Sequence, residues 1–483
     1  MTDTASDTEP ADDIPLADAE GVERTLRLSI WEGASYSVLV GFGEVYFIPL
    51  ILAIGATDFQ VGFFVAMIQL FLGFSQFAGL GLVERIRARK PIMIAGGFAH
   101  ILFVLLMVIG VHSRKLSPLV FILLGGGYFA SVGATIPSWT SLMGDMTTSG
   151  ARGKYFSKRN SICQIVFFIC MLAGGAILEF YDNKGAKLTG FTMILALALL
   201  GRVGSTYAYS RFYEGTYQYV KEAYFSFLDF LKRSGKSNFT RFVFFLSLMN
   251  MSTQIAGPYF VAYMLNDLHF SYIQFTIATS MVLVVQIFAT RRWGPIVDRY
   301  GNRIVLQITG AMLPILPLLW FISTNFYYIL FIQFLAGIAW GGWWLSSLNF
   351  TLDAVTAPKR ARCSAYMNFT SCMGVFTGAM LGAFLSLRAQ NIIHAVAPNL
   401  AVVSPLYLVF LVSSIAGLIV IAIFLRKFHE VRQVSDPDFR DMFVMLTHVR
   451  PFAGVRFRLH AGDNTIGGPC VNGHPSENES LKC

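Results

Sequence analysis

Glu44 stands in the run GFGEVYF, in the middle of an apolar stretch from 31 to 54, with no lysine or arginine close by in sequence. An ionisable side chain at that depth in a membrane costs about 3 kcal/mol on insertion scales, so it needs a reason. Loss of water favours the protonated acid, and Gly41 and Gly43 leave room beside it. These residue types suit a proton-coupling or substrate-binding carboxylate; a hydrogen-bonded structural acid is the plainer alternative. Asn250 and Gln254 lie one helical turn apart and share a face. Tyr263 joins them only if Gly257 and Pro258 interrupt the winding, as broken helices do at transport sites. Trp340, Trp343, Trp344 and Ser347 fall at i, i+3, i+4 and i+7 and form one aromatic stripe. Cavity lining and plain helix packing are both open for these groups. His100 and Arg202 are also buried deep in apolar sequence, while Glu32, nearer a helix end, suits pairing with a loop arginine.

A second set of charged residues occurs twice. VERIRAR at 83–89 returns as VDRYGNR at 297–303, superimposing Glu84 on Asp298, Arg85 on Arg299 and Arg89 on Arg303 at an offset of 214. Asp145 precedes Arg152 by seven residues as Asp353 precedes Arg360, at an offset of 208. Acid–arginine pairs at a bilayer boundary are neither fully solvated nor buried, and so can latch one conformation. The alternative is that these arginines only report topology. The repeat extends into apolar sequence, where YFIPLILAIGATDFQ at 46–60 parallels YFVAYMLNDLHFSYIQ at 259–274 and Gly175 parallels Gly382. Two membrane-embedded halves on one plan follow.

The elements that must position these residues are membrane helices. Of the 483 residues 55% are hydrophobic and 13% charged, and the mean hydropathy is +0.58. A bilayer crossing takes about 20 apolar residues. Twelve continuous apolar runs lie near 31–54, 59–82, 91–112, 118–138, 161–181, 190–210, 241–264, 272–292, 303–323, 327–348, 364–386 and 404–426; they are numbered spans 1 to 12 below. Their continuity excludes the alternating strands of a membrane β-barrel. The expected class is therefore an all-α polytopic membrane protein of twelve transmembrane helices in two pseudo-symmetric six-helix bundles.

The net charge of +9 is explained by its placement, with no nucleic-acid partner needed. Connections after spans 2, 4, 8 and 10 carry fifteen lysines and arginines, against Arg114, Lys115, Lys184, Lys187 and Arg388 on the other side. That bias places both termini in the cytoplasm, in a multi-pass plasma (inner) membrane protein. The polar first residues show no cleavable signal, so span 1 is expected to serve for targeting. The organisation reads as an acidic N-tail (1–27), a first bundle (28–210), an aromatic and basic interfacial linker (211–240), a second bundle (241–426) and a partly disordered C-tail (427–483) with a short helix expected at 439–450. Six scattered cysteines suggest no disulfide framework. Cys470 and His474 lack the second pair that zinc wants, so neither metal nor cofactor is expected.

Gly294, Asp298, Arg299, Gly301 and Arg303 form G-x-x-x-D-R-x-G-x-R between spans 8 and 9. With twelve helices as six plus six, the chain resembles the major facilitator superfamily over roughly residues 28–430. The first copy departs from the pattern, with Glu84 for the acid and Arg87 for the glycine. The resemblance implies two six-helix bundles around a cavity that opens alternately to each side, with spans 3 and 6 outside it. The Gly-Pro of the family's antiporters is missing from span 5, which reads Ala173-Gly174-Gly175. The function expected is secondary active transport of a small solute by alternating access, proton-coupled through Glu44, by a monomer whose partners are the bilayer, the solute and protons. A lipid or amphipathic-molecule flippase of the same fold, and a non-transporting sensor or scaffold, are the alternatives. Neither a nucleophile–base pair nor a G-x-x-x-x-G-K-[ST] loop is present, so no enzyme is expected.

Overall fold

The computed structural model describes residues 16–147, 149–215, 227, 237–355, 357–396, 404–424, 427–431 and 434, with side chains from 19 onward except at 149–153, 357–362 and 396. The N-tail up to 15, the C-tail helix expected at 439–450 and the Cys470–His474 pair lie outside these residues. So does the linker between 216 and 236, apart from Phe227.

Span 1 runs from Leu16 to Phe42, passes through a 3-10 turn at Glu44–Tyr46 and restarts as Phe47–Ala53. The chain accounts for the break. Gly41 and Gly43 are weak helix formers, and Pro49 has no N–H to offer the preceding turn. A proline is tolerated in the first turn of a helix but not in its interior, so the helix restarts just ahead of Pro49. The following spans are Asp58–Ile86, Lys90–His112, Pro118–Met146, Ser149–Asn183 and Lys187–Arg211. The second half comprises Asn238–Ala262, Tyr272–Tyr300, Asn302–Leu319, Phe326–Ala354, Ala357–Val396 and Leu406–Phe424.

Eleven of the described helices are long and apolar enough to cross a bilayer. The twelfth, Asn238–Ala262, has 25 residues but is diluted by Arg241, Asn250, Thr253 and Gln254. It does not break at Gly257-Pro258. The helix continues to Ala262 and only then widens into a π turn at Tyr263–Asp267, closed by Leu268 N–H donating to Tyr263 C=O at 2.9 Å. The irregularity therefore comes about a turn later than Pro258 suggested.

The internal repeat is visible in the caps. Thr57 starts span 2 and Ser271 starts span 8, each in a reciprocal capping box with Gln60 and Gln274. Within each half the packing repeats as well: span 2 lies on span 4 and span 3 on span 6, as span 8 lies on span 10 and span 9 on span 12. Span 11 approaches span 7 closely along Gly374, Gly378 and Gly382, where a Cβ would collide with the carbonyls of Ser247, Met251 and Ile255.

The halves meet through spans 2 and 11 and through spans 5 and 8. At the end opposite the basic loops, the Tyr46 hydroxyl donates to Met171 C=O at 2.5 Å and lies 3.1 Å from Thr276 Oγ1. There Ile273 N–H also donates to Glu179 at 3.4 Å. Toward the basic end spans 5 and 8 part around a cavity of about 800 Å³, walled by Gln164, Phe167, Phe168, Gln286 and Arg291 among others.

Candidate functional site

The break in span 1 presents Glu44 to span 4. Its carboxylate accepts a 2.6 Å hydrogen bond from the Tyr128 hydroxyl and a longer one, 3.4 Å, from Tyr36. No cation forms an ion pair with it among the described residues. His100 on span 3 lies against Tyr128, with ring centroids 3.8 Å apart, and 6.3 Å from Tyr36. The Arg202 guanidinium, on span 6, sits 5.5 Å from the rings of both Tyr36 and Tyr209.

From Arg202 the polar chain continues toward the basic end. Its Nη1 donates to Ser205 at 3.0 Å, Ser205 donates to Glu32 at 3.2 Å, and Glu32 accepts from Arg159 Nη2 at 2.9 Å. Arg159 also donates to Ser29 C=O and stands 4.6 Å over the Trp139 ring. These groups wall a cavity of about 320 Å³ between spans 1, 3, 4, 5 and 6. The expected pairing of Glu32 with an arginine is thus present, with Arg159. His100 and Arg202 are fully buried and take part, although their spans belong to the outer helices of the resembling family. Tyr36 and Tyr128, which complete the Glu44 site, carry no charge to mark them in sequence.

The second half holds a smaller counterpart of about 240 Å³, walled by Thr253, Gln254, Gly257, Phe260, Trp320, Gln333 and Trp340. Gln254 and Trp340 meet there. Asn250 is partly buried one turn earlier, with its C=O accepting from Thr253. Tyr263 goes elsewhere because the helix stays wound past Pro258: its hydroxyl lies 2.9 Å from that of Tyr407, and its ring packs edge-on against Trp320 and Phe410. The tryptophan stripe divides. Trp343 is buried against Phe245 inside the bundle, whereas Trp344 is 58% exposed and stacks on Trp340.

The repeated charges form a clamp within each half. Arg89, 1% exposed, pairs with Asp145 at the end of span 4, donates to Ser141 at 3.1 Å and reaches Glu214 at 3.4 Å. Glu214, just past span 6, also accepts from the backbone N–H groups of Arg89 and Lys90 at 2.5 and 3.0 Å. In the second half Asn302 donates to Asp353 at 2.9 Å, and Glu430, just past span 12, accepts from Arg303 N–H at 2.7 Å. A carboxylate at a helix N-terminus meets unpaired N–H groups and the positive end of the dipole. Glu214 and Glu430, 216 residues apart, were not singled out because their partners are distant in sequence.

Asp145 and Asp353 are therefore bound by groups at the start of the neighbouring span; the side chains of Arg152 and Arg360 lie outside those described. Gly301 has φ +87°, and Arg87, its counterpart, is left-handed too at φ +55°. Their ψ values part, 168° at Gly301 and 26° at Arg87, so the first copy turns differently and holds its arginine in the left-handed helical region at a steric cost of about 1–2 kcal/mol. Glu84, Arg85, Asp298 and Arg299 are exposed. Arg299 lies 5.2 Å from the Tyr300 ring, and Asp298 makes no ion pair among the described residues.

The family model of the Major Facilitator Superfamily matches residues 242–458. No curated protein sequence matches the chain. Among solved structures, an auto-inhibited POT family peptide transporter aligns with a TM-score of 0.67 at 10% identity, covering 86% of this chain and 99% of the other. A bacterial homologue of the human lysosomal transporter Spinster, inward-facing and unoccupied, aligns at 0.62 and 13%, covering 85% and 97%. The nucleoside transporter NupG aligns at 0.60 and 13%, covering 85% and 100%. The second half of the chain thus matches the Major Facilitator Superfamily model, and the whole chain has the two-bundle fold of these transporters.

Proposed function

We propose that this chain is a proton-coupled secondary transporter of a small solute, working by alternating access in a plasma (inner) membrane with its basic end in the cytoplasm. One observation carries the reading. Glu44 sits at a helix break inside the first bundle, held by two tyrosine hydroxyls with no cation paired to it. A carboxyl held by neutral donors can gain and lose a proton without breaking an ion pair, which a coupling group requires. The parting of spans 5 and 8 toward the basic end, against their contact at the other, supports an inward-open state. The transporters of similar fold are named for peptides and nucleosides, so the fold leaves the solute open. Asn250, Gln254 and Trp340 remain candidate solute contacts from the second half.

The experiment is transport in proteoliposomes with Glu44→Gln. The variant is expected to fold and to exchange solute in counterflow, while losing accumulation driven by a pH gradient. Wild-type accumulation in Glu44→Gln removes Glu44 from the mechanism. The apolar character of the 800 Å³ cleft between spans 5 and 8 favours a second reading, movement of an amphipathic molecule entering from the bilayer. Scrambling of a fluorescent lysolipid by the same vesicles distinguishes it.

A further inference from the structure

Three buried hydrogen-bond donors stand without a partner among the described residues in the wall of one cavity: Arg202 Nε, a ring nitrogen of His100 and Trp139 Nε1. His100 and Arg202 are 0% and 2% exposed. Buried polar groups are nearly always satisfied, and leaving one unpaired costs about 1–3 kcal/mol. Three on one cavity point to a ligand that brings acceptors. The charge points the same way. Arg159 and Glu32 offset each other at 2.9 Å, leaving the Arg202 guanidinium in excess. Glu44, beyond Tyr36, cancels that charge only when ionised. The remaining wall is aromatic and apolar, with Tyr36, Tyr209, Val132 and Ile136, and about 320 Å³ is at the small end of ligand pockets.

We infer that the cavity between spans 1, 3, 4, 5 and 6 binds a small organic monocarboxylate, its anionic group on Arg202, His100 and Trp139 and its apolar body against the tyrosines. Guanidinium, imidazole and indole each offer an in-plane N–H, which suits the flat pair of oxygens of a carboxylate. A single surplus charge matches a monoanion better than phosphate. This rests on the transporter reading, since it names the class of solute that the chain would carry.

The test is equilibrium binding of radiolabelled benzoate and lactate to the full-length protein in nanodiscs, with benzamide, lactamide and inorganic phosphate as competitors. Saturable binding of an acid, displaced by the other acid and not by the amides, is expected. Arg202→Gln should weaken it about 30-fold or more, as loss of a charged donor does. Should that variant fail to fold, Trp139→Phe keeps an aromatic ring while removing the N–H along with the five-membered ring that carries it, with an expected loss of about 5-fold. Glu44→Gln should bind at least as tightly as wild type. No saturable acid binding, amides competing as well as acids, phosphate competing more strongly than lactate, or unchanged affinity in Trp139→Phe overturns the inference. Loss of pH-driven accumulation of another solute in Glu44→Gln, together with no carboxylate binding, leaves the coupling role of Glu44 standing and removes the carboxylate site alone.

Discussion

Arg89→Met asks whether the repeated arginines switch conformation or hold one bundle together. Arg89 is 1% exposed and ties the start of span 3 to Asp145 and Ser141 on span 4 and to Glu214 past span 6. All of these lie in the first half, so the clamp need not open when the halves move against each other. Asp145 is 61% exposed, which limits its bond to about 0.5–1 kcal/mol. Glu214 is 16% exposed and retains its two backbone donors in the variant, so its loss is about 1–2 kcal/mol. With the Ser141 bond the expected destabilisation is about 3 kcal/mol. For a chain of this size that lowers the unfolding temperature by about 3 °C, extrapolating the per-residue unfolding entropy. Thermal unfolding of the purified protein, followed through tryptophan fluorescence, measures it. A transport rate within about twofold of wild type at a temperature where the variant is folded is expected as well. Unchanged thermal stability with abolished transport would refute the clamp and restore the latch.

Three further outcomes follow from the same geometry. Cysteines introduced as Ala88→Cys and Arg299→Cys in a cysteine-depleted background should react with an impermeant reagent only from the cytoplasmic side; labelling in intact cells removes the proposed orientation. Tyr46→Phe deletes the donor to Met171 and the contact with Thr276, and should open the end opposite the basic loops by about 1 kcal/mol, read as longer spin-label distances across that end. Asp298 makes no ion pair among the described residues here, so a latch requires it to gain an arginine when the basic end closes; Asp298→Asn should then favour the state open at that end by about 1–2 kcal/mol, a factor of roughly 5–30, with a smaller shift for Glu84→Gln. A larger shift in Glu84→Gln reverses that ranking, and unchanged distance distributions in Asp298→Asn leave it a topology signal.

The repeat was legible in sequence because it is carried by local chemistry. A capping box needs only Thr57 with Gln60 or Ser271 with Gln274, three residues apart, and the loops after spans 2 and 8 both turn through a residue of positive φ, Arg87 and Gly301. The break in span 1 is likewise local, set by Gly41, Gly43 and Pro49. Length and continuous apolarity located the spans, since a backbone in lipid has to satisfy its own hydrogen bonds within a helix. The rotation of each span about its axis was not legible, because a helix that is apolar on every side has no periodicity to say which side faces the bundle. Trp343 and Trp344 are adjacent in one stripe, yet one is buried and the other 58% exposed. Tertiary packing alone brings Tyr128 from span 4 to Glu44, encloses Arg202 and His100 around one cavity, and carries Glu214 and Glu430 back to the starts of spans 3 and 9. Those partners lie between 84 and about 130 residues apart, or 173 in the case of Glu32 and Ser205. Such pairings are set by which helix faces meet, a property of the assembled bundle that spacing along one helix does not contain.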